Sequence, residues 1–484
     1  MKNLGDKTLL KTQAYIDGKW IAKNSSTFPV HNPATGEHVT DVSNASGAEA
    51  KQAIDAAAEA FKSWKHTTAA ERAGILNRWA ELLEENREDL AIIMTTEQGK
   101  PLAESRGEIN YSIAFFRWYA EEAKRIYGDI IPTHNSSLRN LVIKQPVGVV
   151  AAITPWNFPV AMVAKKLPAA LAAGCTMIWK PSEETPLSGL ALAELGERAG
   201  LPKGVFNVLP TLNAQEIGWE LTSSSQVRKI SFTGSTGVGK LLLKQSAETV
   251  KKVSLELGGN APFIVFEDAD IDAAVSGAIA SKFRNAGQTC VCANRIYVQE
   301  SIYDTFTQKY VAEVQKLKVG NGIDDNTVIG PLINQQALNK VETLLEDAVS
   351  NGAEVVIGGE RHALGQTFYQ PTVLRNVPVT AKMSREEIFG PVAPIFRFKT
   401  EEEAVELANA TQFGLASYFY ARDIGRIWRV SEALEYGMVG INTGMISTAV
   451  APFGGIKESG LGREGSKYGL DDYMEIKFMC MGIQ

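Results

Sequence analysis

An α/β fold built on parallel sheets is the architecture this sequence predicts. From Val147 onward, short β-rich runs alternate with helical stretches, and those runs are apolar on both faces. A second alternating block occupies residues from about 260 to 460. Strands buried on both sides need helices covering both faces of their sheet, which is what βαβ units provide. At 484 residues, two or three domains are expected rather than one core.

Residues 46–125 read as helical, because SGAEAKQAIDAAAEAFKSW, AAERAGILNRWAELLEENREDLAIIMTTEQG and EINYSIAFFRWYAEEAKRI carry apolar residues at helical spacing. Ser46 is placed to cap the first of them, with Glu49 three residues on. In GDIIPTHNSSLRNLVIKQP, Asn135-Ser136-Ser137 separates two extended runs, so this segment is a hairpin-like insertion. VGVVAAI, TMIWK, GVFNVL and RKISFTG are then strands of one sheet, with AMVAKKLPAALAAG and LSGLALAELGERAG as helices between them. APFIVFE, ANRIYVQ, EVVIGG, VAPIFRFK, SYFYA and YGMVGIN supply the second block. The tail, SKYGLDDYMEIKFMCMGIQ, ends in an alternating run suited to pair as an edge strand with another subunit.

Composition narrows the function classes. A net charge of −6 gives no reason to expect nucleic acid or an anionic membrane as partner. No apolar run approaches the ~20 residues that span a bilayer, and the start MKNLGDKTLLKTQAYIDGKW lacks the apolar segment of a signal peptide. Four unevenly spaced cysteines do not make a disulfide scaffold, so a reducing, cytoplasmic setting is the expectation. With five histidines and neither HExxH nor Cys-x-x-Cys, no metal site is expected.

Four stretches carry chemistry. In Phe232-Thr-Gly-Ser-Thr-Gly-Val-Gly-Lys240, the spacing Gly234-x-x-x-x-Gly239-Lys240 matches a P-loop, but the next residue is Leu241 where a magnesium-binding hydroxyl is required. The segment sits where a strand ends and a helix begins, the place where parallel sheets bind nucleotides. A P-loop NTPase, a dinucleotide cradle and a plain glycine turn are its three readings. Second, Asn285-Ala-Gly-Gln-Thr-Cys290-Val-Cys292 surrounds a cysteine with small and polar residues, unlike an inert core thiol. Third, Glu256 ends the apolar run Val253-Ser-Leu-Glu256, where a carboxylate has to be paired or functional. Asn157, in Thr154-Pro-Trp-Asn-Phe-Pro159, ends a buried strand in a rigid turn.

In this order the stretches resemble the aldehyde dehydrogenase superfamily. The likeness extends over nearly the whole chain through Asn32-Pro-Ala-Thr-Gly36, Trp179-Lys-Pro-Ser-Glu183, Phe232-Thr-Gly-Ser235, Leu255-Glu-Leu-Gly-Gly259, Gly287-Gln-Thr-Cys290, Glu386-Glu-Ile-Phe-Gly-Pro391, Pro452-Phe-Gly-Gly455 and Ser459-Gly-Leu-Gly462. The resemblance implies a Rossmann-type cofactor domain (1–125 and 147–258), an α/β catalytic domain (259–460) and a small β oligomerisation segment (126–146 and 461–484) making a homodimer or homotetramer. It implies Cys290 as nucleophile, needing local help to ionise from Glu256 through water, because a free thiol has a pKa of ~8.5. Asn157 is then the oxyanion donor and Glu256 the base that hydrolyses a thioester. It places Gly234 and Ser235 under a dinucleotide pyrophosphate, with Trp156, Leu257, Glu387 and Phe389 also at the cofactor. Lys180, Ser182 and Glu183 would meet the adenosine ribose, where the carboxylate suits NAD while leaving NADP possible.

Lys282–Cys292, Gly440–Gly444 and Gly460–Gly469 are similar to the succinate-semialdehyde dehydrogenase branch. That likeness implies an aldehyde with a distal carboxylate, gripped by Arg284 and assisted by Ser447, as in 4-aminobutyrate breakdown. Relatives carry an arginine where Lys165 stands, and a lysine keeps the charge but loses the planar fork. Glutarate semialdehyde is therefore the second expected substrate. The proximity of Cys292 to Cys290 also suggests a redox switch.

Overall fold

The computed structural model describes residues 4–21 and 26–483; residues 1–3 of the chain start and residue 484 of the tail lie outside them. The α/β architecture is as expected. An eight-stranded sheet runs in the order Gly460–Leu461, Lys252–Glu256, Val227–Thr233, Val149–Ile153, Thr176–Lys180, Phe206–Val208, Tyr15–Ile16, Lys19–Trp20. Its five central strands are parallel. Side chains alternate between two cores, as a strand's period of two dictates. Val149, Ala151 and Ile178 face one layer, whereas Val150, Ala152, Met177 and Trp179 face the other.

Strand order reverses direction between Val149–Ile153 and Val227–Thr233, which are neighbours in the sheet but far apart in the chain. Crevices outside the carboxyl ends of strands at such a switch point are where open α/β sheets bind ligands. Both Thr154–Asn157 and Gly234-Ser235 follow these two strand ends directly. Asn157 lies four residues beyond the strand, in the turn rather than at the strand's end as its sequence suggests.

The helix Gly47–Trp64 covers one face, and Ser46 and Glu49 form the expected capping box. Such a cap contributes about 1 kcal/mol. The helices Ala69–Glu85, Arg87–Gln98 and Leu102–Glu122 pack with one another beside this sheet, on the side of the larger core. A second sheet runs Glu354–Ile357, Thr372–Arg375, Val392–Phe398, Ala293–Gln299, Ala261–Val265, Ala416–Tyr420, Met438–Ile441, and only its first strand is antiparallel to its neighbour.

The hairpin insertion forms Asp129–Ile131 and Leu138–Pro146. The tail strand Met474–Gly482 pairs here on one side, through nine antiparallel register pairs with Leu138–Pro146. It lies at the edge of this three-stranded sheet. Among the described residues, no helix is long and apolar enough to cross a membrane.

Candidate active site

Cys290 lies between the turn Arg284–Gly287 and the strand Ala293–Gln299. Three consecutive residues of that turn, Asn285, Ala286 and Gly287, have φ of 51°, 54° and 76°. Left-handed non-glycine residues cost about 1–3 kcal/mol each and persist where the surroundings over-determine them. Here the Asn285 N–H donates to both oxygens of Glu104, at 2.8 and 3.1 Å, and the Gln288 side-chain amide donates to the Asn285 carbonyl at 3.1 Å. Gly287 has no room for a Cβ, which would run into the Gly390 carbonyl.

The half-buried thiol opens on a cavity of about 270 Å³, also lined by Tyr111, Phe158, Lys165, Arg284, Ser447 and Phe453. Asn157 is buried beside the same turn, its Nδ2 donating to the Gln288 carbonyl at 3.0 Å. Its Oδ1 has no partner among the described residues.

Burial pushes the Cys290 thiol up to about 12; Lys165 and Arg284 pull it down, while Glu387 and Glu256 push it further. An ionised Glu256 opposes a thiolate, and the nearby help comes from Lys165. Burial in turn holds the Glu256 carboxyl well above its usual range, reinforced by Glu464 and opposed by Lys165, Lys166 and Arg463. One Glu256 oxygen, Oε2, has no hydrogen-bond partner among the described residues. A raised pKa makes the carboxylate a stronger base once the group has ionised, which suits Glu256 to take a proton from water.

Glu464 is the site residue that sequence reasoning missed. Its Oε1 accepts from Lys166 Nζ, and its Oε2 lies 3.9 Å from Lys165 Nζ. Both lysines are buried. Two adjacent buried ammonium groups demand a carboxylate, but nothing in the sequence says that it comes from 298 residues away.

Arg284, which also lines the cavity, is half-buried with no ion pair within 4.0 Å among the described residues, its guanidinium 5.2 Å from the Phe158 ring. A surface ion pair is thereby excluded as the reason for this arginine. Lys165 instead sits 3.2 Å from the centre of the Phe453 ring. Cys292 does not line the cavity: it is buried, and its Sγ donates to the Lys282 carbonyl at 3.4 Å.

The remaining candidates cluster at the switch point. The Gly234 N–H donates to the Glu256 carbonyl at 3.0 Å, tying the two strand ends together. Ser235 caps the helix Thr236–Ser246, and Gly239 on its first turn has no room for a Cβ against Leu257. Trp156 and Phe389 meet edge to face at 5.6 Å. Glu387 accepts the Gly259 N–H at 3.1 Å and burial raises its carboxyl to about 7. Farther along, Lys180 Nζ bonds Glu183 at 2.8 Å, and Ser182 accepts the Glu184 N–H at 3.3 Å. Thr233 Oγ1, directly before Gly234, is a buried hydroxyl without a partner among the described residues. An orphan hydroxyl, a helix N-terminus and a pair of facing rings fit a dinucleotide.

The sequence pattern of the aldehyde dehydrogenase family matches residues 20–479. A glutarate-semialdehyde dehydrogenase of Pseudomonas aeruginosa is 60% identical over 480 residues, 99% of each chain. The succinate-semialdehyde dehydrogenase (NADP(+)) of Escherichia coli is 59% identical, over 99% of this chain and 100% of that one. The crystal structure of an E. coli NADP-dependent enzyme superposes with a TM-score of 0.99 at 58% identity, covering 99% of this chain and 100% of the other. Likeness on this scale removes the P-loop NTPase reading of Phe232–Lys240, because fold and sequence agree from end to end: the chain belongs to the aldehyde dehydrogenase family.

Proposed function

We propose that this enzyme oxidises succinate semialdehyde to succinate, with NAD preferred over NADP. The observation that carries the reading is the cavity shared by the Cys290 thiol, Ser447 and Arg284, an arginine without an ion pair among the described residues. A bidentate guanidinium fixes the distal carboxylate and so aims the aldehyde carbon at the thiol. Cys290 Sγ adds to that carbon, its proton passing to water, and the oxyanion develops toward the side-chain amide of Asn157. Residues Trp156, Gly234, Ser235, Leu257, Glu387 and Phe389 would hold the nicotinamide dinucleotide, which supplies the hydride acceptor when bound. Glu256 takes a proton from the water that cleaves the thioester, releasing the acid and restoring the thiol.

With purified enzyme, kcat/KM for succinate semialdehyde should exceed that for a neutral aldehyde of similar length at least tenfold, about 1.4 kcal/mol. Arg284→Ala should lower kcat/KM for the acid aldehyde roughly 10- to 100-fold, the loss of one or two charge-assisted hydrogen bonds, and leave the neutral aldehyde unchanged. Equal losses on both substrates would remove the carboxylate role. Glutarate semialdehyde is the second reading, favoured by Lys165: with that charge engaged by Glu464 and Phe453, Arg284 alone grips the carboxylate and chain length is loosely fixed.

The cofactor preference rests on Glu183, whose carboxylate repels a 2′-phosphate and neutralises Lys180. In Glu183→Gln the freed Lys180 can pair with that phosphate, so the NADP-to-NAD ratio of kcat/KM should rise about tenfold, 1.4 kcal/mol. A ratio that does not move would place the discrimination elsewhere. A homodimer or homotetramer belongs to this reading, supported by the exposed Ile130, Ile476, Phe478 and Met481 on the three-stranded sheet.

A further inference from the structure

Lys100 is a lysine the chemistry above does not use, yet its side chain is fully buried. It stands in the turn Gln98-Gly-Lys-Pro101, between the helices Arg87–Gln98 and Leu102–Glu122, where Gly99 takes the left-handed cap at φ 93°. Its Nζ donates to Glu108 at 2.6 Å and to the Asn157 carbonyl at 2.5 Å, and it lies 4.0 Å from the Phe158 ring centre. The other oxygen of Glu108 accepts the N–H groups of Val160 and Ala161, at 2.9 and 3.0 Å. One buried ion pair thus grips both ends of the segment 157–161.

The same turn reaches the nucleophile's loop. Gln98 Oε1 accepts the Lys100 N–H at 2.8 Å, and its Nε2 donates to Asn285 Oδ1 at 3.1 Å. Asn285 Nδ2 in turn donates to the Asn157 carbonyl at 2.9 Å, so that carbonyl receives both Lys100 and Asn285. Asn157 and the left-handed turn before Cys290 are therefore fastened to one short segment of a helical hairpin that contributes neither of them.

We propose that Lys100, held by Glu108, is a positioning residue that sets the Asn157 amide against the oxygen of the carbonyl whose carbon Cys290 attacks. The proposal rests on the roles given above to Cys290 and Asn157. It predicts a selective defect. Reactions that build an oxyanion need the amide in place, whereas direct alkylation of the thiol does not.

The test compares two reactions of the full-length enzyme: acylation of Cys290 by p-nitrophenyl acetate, which forms a tetrahedral oxyanion, and alkylation by iodoacetamide, which forms none. Removing Lys100 alone strands a buried carboxylate, a loss that can prevent folding. The double variant Lys100→Met/Glu108→Gln, which removes both charges, is therefore measured beside Lys100→Met. Acylation and aldehyde kcat are expected to fall at least about tenfold, with alkylation and KM nearly unchanged. In an Asn157→Ala background the same changes should add no further loss of acylation, because the donor they position is already gone. Acylation and alkylation falling together, or a full additional loss in the Asn157→Ala background, would overturn the positioning role. Failure of the underlying reading shows differently: wild type and Cys290→Ala would then acylate at the same rate.

Discussion

Cys290→Ala is expected to reduce aldehyde oxidation by about 10⁴-fold or more, the scale of loss when the nucleophile of a covalent mechanism is removed. Binding of the dinucleotide should survive, because the residues proposed to hold it contact the ligand through other strand ends. Steady-state reduction of nicotinamide and calorimetric titration of the cofactor separate the two effects. The thiol is half-buried and lines a cavity, so its truncation enlarges existing space and creates no new buried void. Melting temperature should accordingly stay close to wild type. Residual turnover within tenfold of wild type would remove Cys290 from the chemistry, and the raised pKa of its thiol would then be an ordinary consequence of burial.

Much of the fold was legible because local rules and tertiary packing agree. Ser46 and Glu49 announce a helix start that the backbone needs in any context. The doubly apolar runs could be covered only by helices on both faces. Glu256 stood out as a lone carboxylate at the end of an apolar strand, which is its position in the sheet. What stayed hidden depends on partners far away in the chain. Glu464 looked like one charged residue in a glycine-rich stretch, and its meaning comes from Lys166 beneath it. Lys100 followed a helix-ending glycine, a setting indistinguishable from a solvated turn until Glu108 and the Asn157 carbonyl close around its ammonium. The tail was legible as an edge strand, but its neighbour Leu138–Pro146 was not, because alternation specifies a strand and its faces and says nothing about which strand it joins.

Glu256→Gln should separate the two halves of the reaction. Thioester formation does not need this residue as a base for water, so one equivalent of reduced nicotinamide per active site should appear in a rapid burst. Steady-state turnover behind it should fall about 10²- to 10⁴-fold, the usual contribution of a general base. In the wild type that slow step should speed up with pH through the raised pKa of Glu256, since only the carboxylate can take the proton; in the glutamine variant the limb should vanish. The same pKa shift fixes the sign of a stability effect. Burial raises the folded-state carboxyl above its unfolded value, so between the two pKa values the folded protein binds more protons than the unfolded one. Unfolding free energy then falls as pH rises through that window, by linkage. Glutamine, which cannot ionise, escapes the penalty. Glu256→Gln should therefore melt higher than wild type at pH 8 and lose that advantage as pH approaches the ordinary glutamate value of about 4.3. A variant that melts lower at pH 8 would mean that Lys165 and Lys166 stabilise an ionised Glu256 more than burial opposes it. The base would then be charged before substrate arrives, and the slow step would show no such pH limb.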